Sequence, residues 1–374
     1  MIKREHFRLW AWIAVATTLC VIVLGAYVRL THAGLGCPDW PGCYGHITWP
    51  NQSHEIEAAN QAFPQRAVEV PKAWREMVHR FLAGALGLIV LALAISAARR
   101  HRPALLSVIA AAVLASAAIA TYTLDFRTAA LLPAALSIVL PLLAAWRLPG
   151  TLAERTVVAS LGVIIFQALL GKWTVTLQLK PAIVTMHLLG GMTTFALLLW
   201  AALHSERLAV RWPALRGLAL FSLVVLVIQI FLGGWTSTNY AALACPDFPQ
   251  CQGSWWPRMD FAEAFVLWRE IGVNYEGGIL DAAARTAIHY THRLWAVVVV
   301  LVLGALIWRL YRHAEGRPAA ALLGGLLTLQ IILGASNVWF DLPLPVATAH
   351  NGVAALLLGV LLMIYARGRL ESRA

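Results

Sequence analysis

Glu76-Met77-Val78-His79-Arg80 and His289-Tyr290-Thr291-His292-Arg293 are two versions of one arrangement, each opening a long apolar run. In the first, a carboxylate and an imidazole stand three residues apart, which on a helix puts them on one face. In the second, a histidine takes the place of the carboxylate. Ionisable groups at the mouth of a membrane span are costly and usually functional. Two more histidines, His187 and His350, also open apolar runs, and each follows a glutamine, Gln167 or Gln330, by 20 residues. His79 and His187 in the first half of the chain thus match His292 and His350 in the second. Two imidazoles facing each other across a helical bundle suit the axial positions of a haem iron. Zinc is a weaker match, because no close-spaced Cys/His pair such as CxxC accompanies them.

Glu76 is the asymmetric member. A fixed carboxylate one turn from a haem ligand suits proton transfer or the stabilisation of positive charge on an intermediate. His289 in its place suggests that one half does chemistry and the other holds an electron-carrying haem. Arg80 and Arg293 directly follow the helix-start histidines. Each could pair with a haem propionate or snorkel to the interface. Lys72, Arg75 and Arg285 add positive charge at the same mouths. Cys37-Pro-Asp-Trp-Pro-Gly-Cys43 and Cys245-Pro-Asp-Phe-Pro-Gln-Cys251 precede the two histidine runs. In an oxidising compartment such cysteines form disulfides. Four cysteines allow three pairings; pairing within each loop is the reading preferred here, as a structural clip or a redox-active pair. Cys20 reads as core, His32, His46 and His54 as solvated loop residues, and Gln167 and Gln330 as hydrogen-bonding between helices.

These residues must be positioned by membrane helices. The chain has 374 residues, 60% hydrophobic and 13% charged, with mean hydropathy +0.71. That composition predicts an all-α polytopic membrane protein. The formal charge of +11 does not point to nucleic acid, because the basic residues cluster at the ends of apolar runs. Spans are expected at about 10–30, 76–98, 103–123, 128–146, 156–177, 182–203, 214–236, 286–308, 318–339 and 345–366. The run after the basic Met1–Arg8 segment is too long for a signal-peptide core and reads as a retained span. Arginines follow alternate spans: Arg99, Arg100 and Arg102; Arg147 and Arg155; Arg207, Arg211 and Arg216; Arg309, Arg312 and Arg317; Arg367, Arg369 and Arg373. With Lys3, Arg4 and Arg8 they place both termini inside and both cysteine loops outside. The setting expected is a bacterial inner membrane.

The chain also repeats itself. Gly25 and Gly233 precede their cysteines by 12 residues, and Gln167 with Gly171 matches Gln330 with Gly334. Both halves have the same orientation, so this is a parallel duplication of a four-helix bundle: residues 1–209 with the first histidine pair, and 210–374 with the second. Residues 103–146 have no counterpart and read as an inserted transmembrane hairpin, making about ten spans in all.

The motifs resemble those of the haem A synthases over nearly the whole chain outside 103–146. The likeness rests on Gly-Ala-Tyr-Val-Arg-Leu-Thr-His-Ala-Gly-Leu-Gly-Cys-Pro-Asp-Trp-Pro-Gly-Cys (25–43), Glu-Met-Val-His-Arg (76–80), Gln-Ala-Leu-Leu-Gly-Lys-Trp-Thr-Val (167–175) and the four histidines. The resemblance implies oxidation of a methyl group of haem O to the formyl group of haem A, for terminal oxidases. It implies that His292 and His350 ligate a resident haem b, that His79 and His187 face the substrate haem, and that Glu76 is catalytic. It makes Cys37 and Cys43 a redox-sensitive outer pair. Haem O and the bilayer are the partners it implies, with haem O synthase, an electron acceptor and a second copy of the chain as candidates. The family usually has eight spans, and the insertion departs from that. Two other classes compete: a di-haem quinol oxidoreductase without methyl oxidation, and a transporter of parallel repeats, which would need ionisable residues nearer the bilayer midplane.

Overall fold

The computed structural model describes residues 4–205 and 212–368. Lys3, Arg207, Arg211, Arg369 and Arg373, which belong to the basic clusters, lie outside the described residues. In chain order the helices are α1 (Arg4–Leu30), α2 (Ser53–Ala62), α3 (Val70–Ala98), α4 (Arg102–Thr123), α5 (Leu131–Arg147), α6 (Leu152–Thr176), α7 (Pro181–His204), α8 (Arg216–Thr238), α9 (Phe261–Ala264), α10 (Ala282–Tyr311), α11 (Arg317–Trp339) and α12 (Leu344–Arg367). Among the described residues there is no strand, only an isolated bridge in each cysteine loop. The protein is an all-α polytopic membrane protein.

Helix starts follow local chemistry. Proline stands in the first turn of α3, α4, α11 and α12, where its missing N–H costs nothing. Asp281 caps α10 by accepting from Ala284 N at 2.7 Å. Thr151 and Glu154 form a reciprocal capping box at the start of α6.

Nine helices among the described residues are long and apolar enough to cross a bilayer. The expected tenth, α5, has 17 residues and carries Pro141 in its interior, at the short end of the spanning range.

The structure divides into two compact units. One is Met1–Thr176 with Gly190–Arg207, the other Leu177–Leu189 with Leu208–Ala374. In the first unit α1 packs on α3, and α3 on α6. The hairpin α4–α5 bridges α3 and α6. Its internal seam is made of small residues, with Ala104, Val108, Ala111 and Ala118 buried, while Leu106, Ile109 and Val113 point outward. Close backbone approach through small side chains is how helices associate in lipid, which solvates large apolar side chains at no cost. In the second unit α8, α10, α11 and α12 form a closed ring, each packing on two others, which is a four-helix bundle. Cys20 is exposed on the outside of α1 rather than in the core as expected; a thiol is apolar enough to face lipid.

Candidate functional site

The two cysteine loops are built alike. Cys37–Cys43 and Cys245–Cys251 are disulfides, and all four cysteines are fully buried. Each loop contains a cis proline, after Trp40 and after Phe248. Tyr44-Gly45 and Gln252-Gly253 follow with positive φ, closing tight turns that glycine and a tolerant neighbour can make. An aspartate locks each turn. Asp39 accepts from Tyr44 N at 2.6 Å and Gly45 N at 2.8 Å, and Asp247 accepts from Gln252 N at 2.5 Å and Gly253 N at 2.8 Å. The Gly253 N–H, helped by that of Gln252, holds the Asp247 carboxyl below its usual range. Burial pushes the Tyr44 phenol up. Of the loop histidines, His32 and His54 are exposed and His46 is half-buried.

Each loop is fastened to its helix by the arginine of the His-Arg pair. Arg80 donates to the carbonyls of Asp39 (3.0 Å), Pro41 (3.2 Å) and Gly42 (2.5 Å). Arg293 donates to those of Asp247 (2.7 Å), Gln250 (2.8 Å) and Cys245 (2.8 Å). The guanidinium fork suits this multiple recognition. One turn back on α3, Glu76 is 5% exposed; it pairs with Arg80 and accepts from Cys37 N at 3.0 Å. Gly36 makes that approach possible, since a side-chain carbon there would lie 2.6 Å from the backbone of Lys72. On α10, His289 takes the same place at the same 5% exposure. Its Nε2 accepts from Arg293 Nε at 3.1 Å, and its Nδ1 lies 3.3 Å from Cys245 N. A neutral imidazole has one lone pair for two donors, whereas a carboxylate satisfies both and carries charge.

The helix-start imidazoles lie against glycines of neighbouring helices. A side-chain carbon at Gly25 would stand 3.0 Å from His79 Cε1, at Gly233 3.1 Å from His292 Cε1, and at Gly334 3.1 Å from His350 Cε1. At each of these glycines a side chain would crowd the ring by a few tenths of an ångström. In the second unit His292 and His350 stand on α10 and α12, the diagonal pair of the four-helix ring. Gln330 Nε2 lies 3.3 Å from His350 Nε2, and Gln229 Nε2 lies 3.2 Å from His292 Nδ1. The carbonyl oxygens of both glutamines are buried without a partner. Turning the Gln330 amide over lets His350 donate to glutamine and keeps its other nitrogen uncommitted, whereas Gln229 Nε2 also donates to the His292 carbonyl at 3.2 Å and so keeps its orientation. The buried Nδ1 of His79 and of His350 also lack hydrogen-bond partners among the described residues. Buried imidazoles whose rings are held by glycine and glutamine contacts fit a haem. Among the described residues no three His, Cys, Asp or Glu side chains converge on a metal-ion site. His187 stands on the first turns of α7, in the stretch Leu177–Leu189 of the second unit, whereas His79 belongs to the first.

A family model described as cytochrome oxidase assembly protein, COX15-CtaA, matches residues 8–129 and 127–362. The chain belongs to this family. It is 41% identical over 357 residues to a heme A synthase of Shewanella oneidensis, covering 94% of this chain and 93% of the relative. It is 25% identical to heme A synthases of Caulobacter vibrioides, over 96% of this chain and 94% of the relative, and of Rhizorhabdus wittichii, over 94% of this chain and 91% of the relative. Within this COX15-CtaA chain, Gln229 is the site residue that spacing alone did not single out. Its signal was an amide inside an apolar run, one turn before Gly233. The matching position of α1 is Val21, so the first half has no such amide.

Proposed function

We propose that the chain is a haem A synthase that oxidises a methyl group of haem O to a formyl group, in a bacterial inner membrane with both termini cytoplasmic. The repeats 1–209 and 210–374 divide the work. The observation that carries this reading is the shared slot above each loop, filled by Glu76 in one half and by His289 in the other, with the same arginine and cysteine-amide partners.

In the second half, His292 and His350 would hold a haem b, which supplies one-electron transfer when bound. Gln229 and Gln330 orient the rings, and Gly233 and Gly334 fix their planes. In the first half, His79 and His187 would face the substrate haem. Oxidising a methyl group to an aldehyde with water as the oxygen donor releases protons as electrons pass to the acceptor. Glu76 is the acceptor or the negative charge for that step, oriented by Arg80 and Cys37 N–H. Arg80 and Arg293 fasten the loops as lids over the outer mouths, where a propionate would be a further partner. The disulfides hold those lids closed against water. Haem O synthase supplies the substrate, and an electron acceptor drains the second half.

The test is chromatography of haems extracted from cells that express haem O synthase with and without this chain. Formyl-haem should appear only with the chain. Haem O persisting unchanged beside a folded, haem-loaded protein would favour a di-haem quinol oxidoreductase instead.

A further inference from the structure

The first unit carries two cations that the repeat replaces with apolar residues. Arg75 lies four residues before His79, on the same face of α3; the matching position of α10 is Ile288, fully buried. Lys172 lies five residues after Gln167 on α6; the matching position of α11 is Ala335, 7% exposed. Among the described residues neither cation has an anionic partner. Arg75 makes no hydrogen bond or ion pair among the described residues, and its Nε is buried and unsatisfied. Its guanidinium lies 5.7 Å from the ring centre of Tyr27, two residues beyond the Gly25 that cradles His79. The Lys172 ammonium sits 3.9 Å from the ring centre of Tyr122 and makes no hydrogen bond among the described residues. Tyr122 ends α4 of the inserted hairpin, and its ring meets Trp40 of the disulfide loop edge-on at 6.2 Å.

Uncompensated cations at a membrane mouth are costly, and a neighbouring aromatic face offsets only part of that cost. Arg80, in contrast, is held by three loop carbonyls and by Glu76. The second half holds the same fold with isoleucine and alanine at these positions, so the cations are not needed for packing.

We propose that Arg75 and Lys172 are the binding residues for the carboxylates of the substrate porphyrin, and that the inserted hairpin, through Tyr122, holds Lys172 in place for this. The proposal rests on the haem O reading above. It gives the first half a carboxylate-dependent affinity that an exchangeable substrate needs and a resident haem does not. It also gives α4–α5 a role: a brace between the disulfide loop and α6.

The test uses full-length protein in nanodiscs of neutral lipid, titrated with haem O and with its dimethyl ester, whose propionates are blocked. Turnover and the optical spectrum of the second-half haem are followed in parallel. Arg75→Ile and Lys172→Ala import the second half's own residues. Each should weaken haem O binding and raise KM by about tenfold or more, as loss of a charge-assisted contact does. The kcat and the second-half spectrum should hold. Arg75→Lys should recover part of the affinity. Tyr122→Leu should weaken binding less than Lys172→Ala. The ester should bind wild type and variants alike, more weakly than haem O binds wild type. Equal affinity of wild type for haem O and its ester overturns the proposal, as do variants with unchanged KM. Loss of co-purifying anionic phospholipid from the variants with haem O affinity intact overturns it in favour of a lipid headgroup. Wild type that neither binds nor converts haem O sinks the functional reading itself, a result distinct from all of these.

Discussion

Glu76 and His289 fill one slot in two repeats: each faces the backbone N–H of the first cysteine of its loop and the arginine four residues on. The loop geometry is conserved between the halves while the charge of the acceptor is not. Architecture and chemistry are therefore separable at this position, which a substitution can test.

Glu76→Gln should lower formyl-haem formation by roughly 10²–10⁴-fold, the usual cost of losing a general acid–base group. The second-half haem spectrum should remain. The amide offers one acceptor where the carboxylate offered two, so the loop should also lose about 1–3 kcal/mol of local stability. Glu76→His is the sharper control, since it copies the second half: a folded loop with no product is expected. Wild-type amounts of haem A from the Gln variant, read by chromatography, would leave Glu76 only a structural role.

His292→Ala or His350→Ala should each abolish the low-spin haem signal of the protein as isolated. Gln229→Leu and Gln330→Leu should keep the signal but weaken haem retention by about 10–100-fold, the usual cost of removing a partner that orients a metal-bound histidine. Competition with apomyoglobin measures this. Undiminished signal in both histidine variants would show the ligands to lie elsewhere.

The disulfides Cys37–Cys43 and Cys245–Cys251 are buried, so mild reductant should leave both intact until the loops open. Replacing both cysteines of one loop with serine should cost roughly 2 kcal/mol through loop entropy and loosen the carbonyls that Arg80 or Arg293 holds. Thiol labelling with mass spectrometry reports both effects. Rapid labelling of Cys37 and Cys43 in untreated membranes would contradict the bond.

A topology reporter fused after Asp125 should read outside, because α4 is long enough to cross and α5, at 17 residues, lies at the short end of the spanning range. A cytoplasmic reading there would demote α5, the 17-residue member, to an interfacial helix.

Much of this was legible in the residues alone. Apolar length sets membrane helices, and the repeated cysteine spacing marks the two disulfide loops that the structure builds alike. The disulfide pairing within each loop, preferred for its short proline-containing spacing, is what the structure holds. Arg80 was harder. As a cation at a helix mouth it reads equally as anion ligand or snorkelling side chain, and only the fold shows three loop carbonyls around it. Gln229 escaped notice because its partner, His292, is 63 residues away and no equivalent amide exists in the first half to mark it as a pattern. Cys20 was misplaced because apolar content along a membrane helix does not reveal which face meets lipid.

The slot above each loop also bears on how such a chain could diverge after duplication. Carboxylate and imidazole both seat between the same arginine and the same cysteine amide, so exchanging one for the other does not require rebuilding the loop. A duplicated gene could thus trade acid for imidazole in one copy without an unfolded intermediate on the way. Specialisation of the halves then proceeds through side chains while the scaffold stays under common constraint.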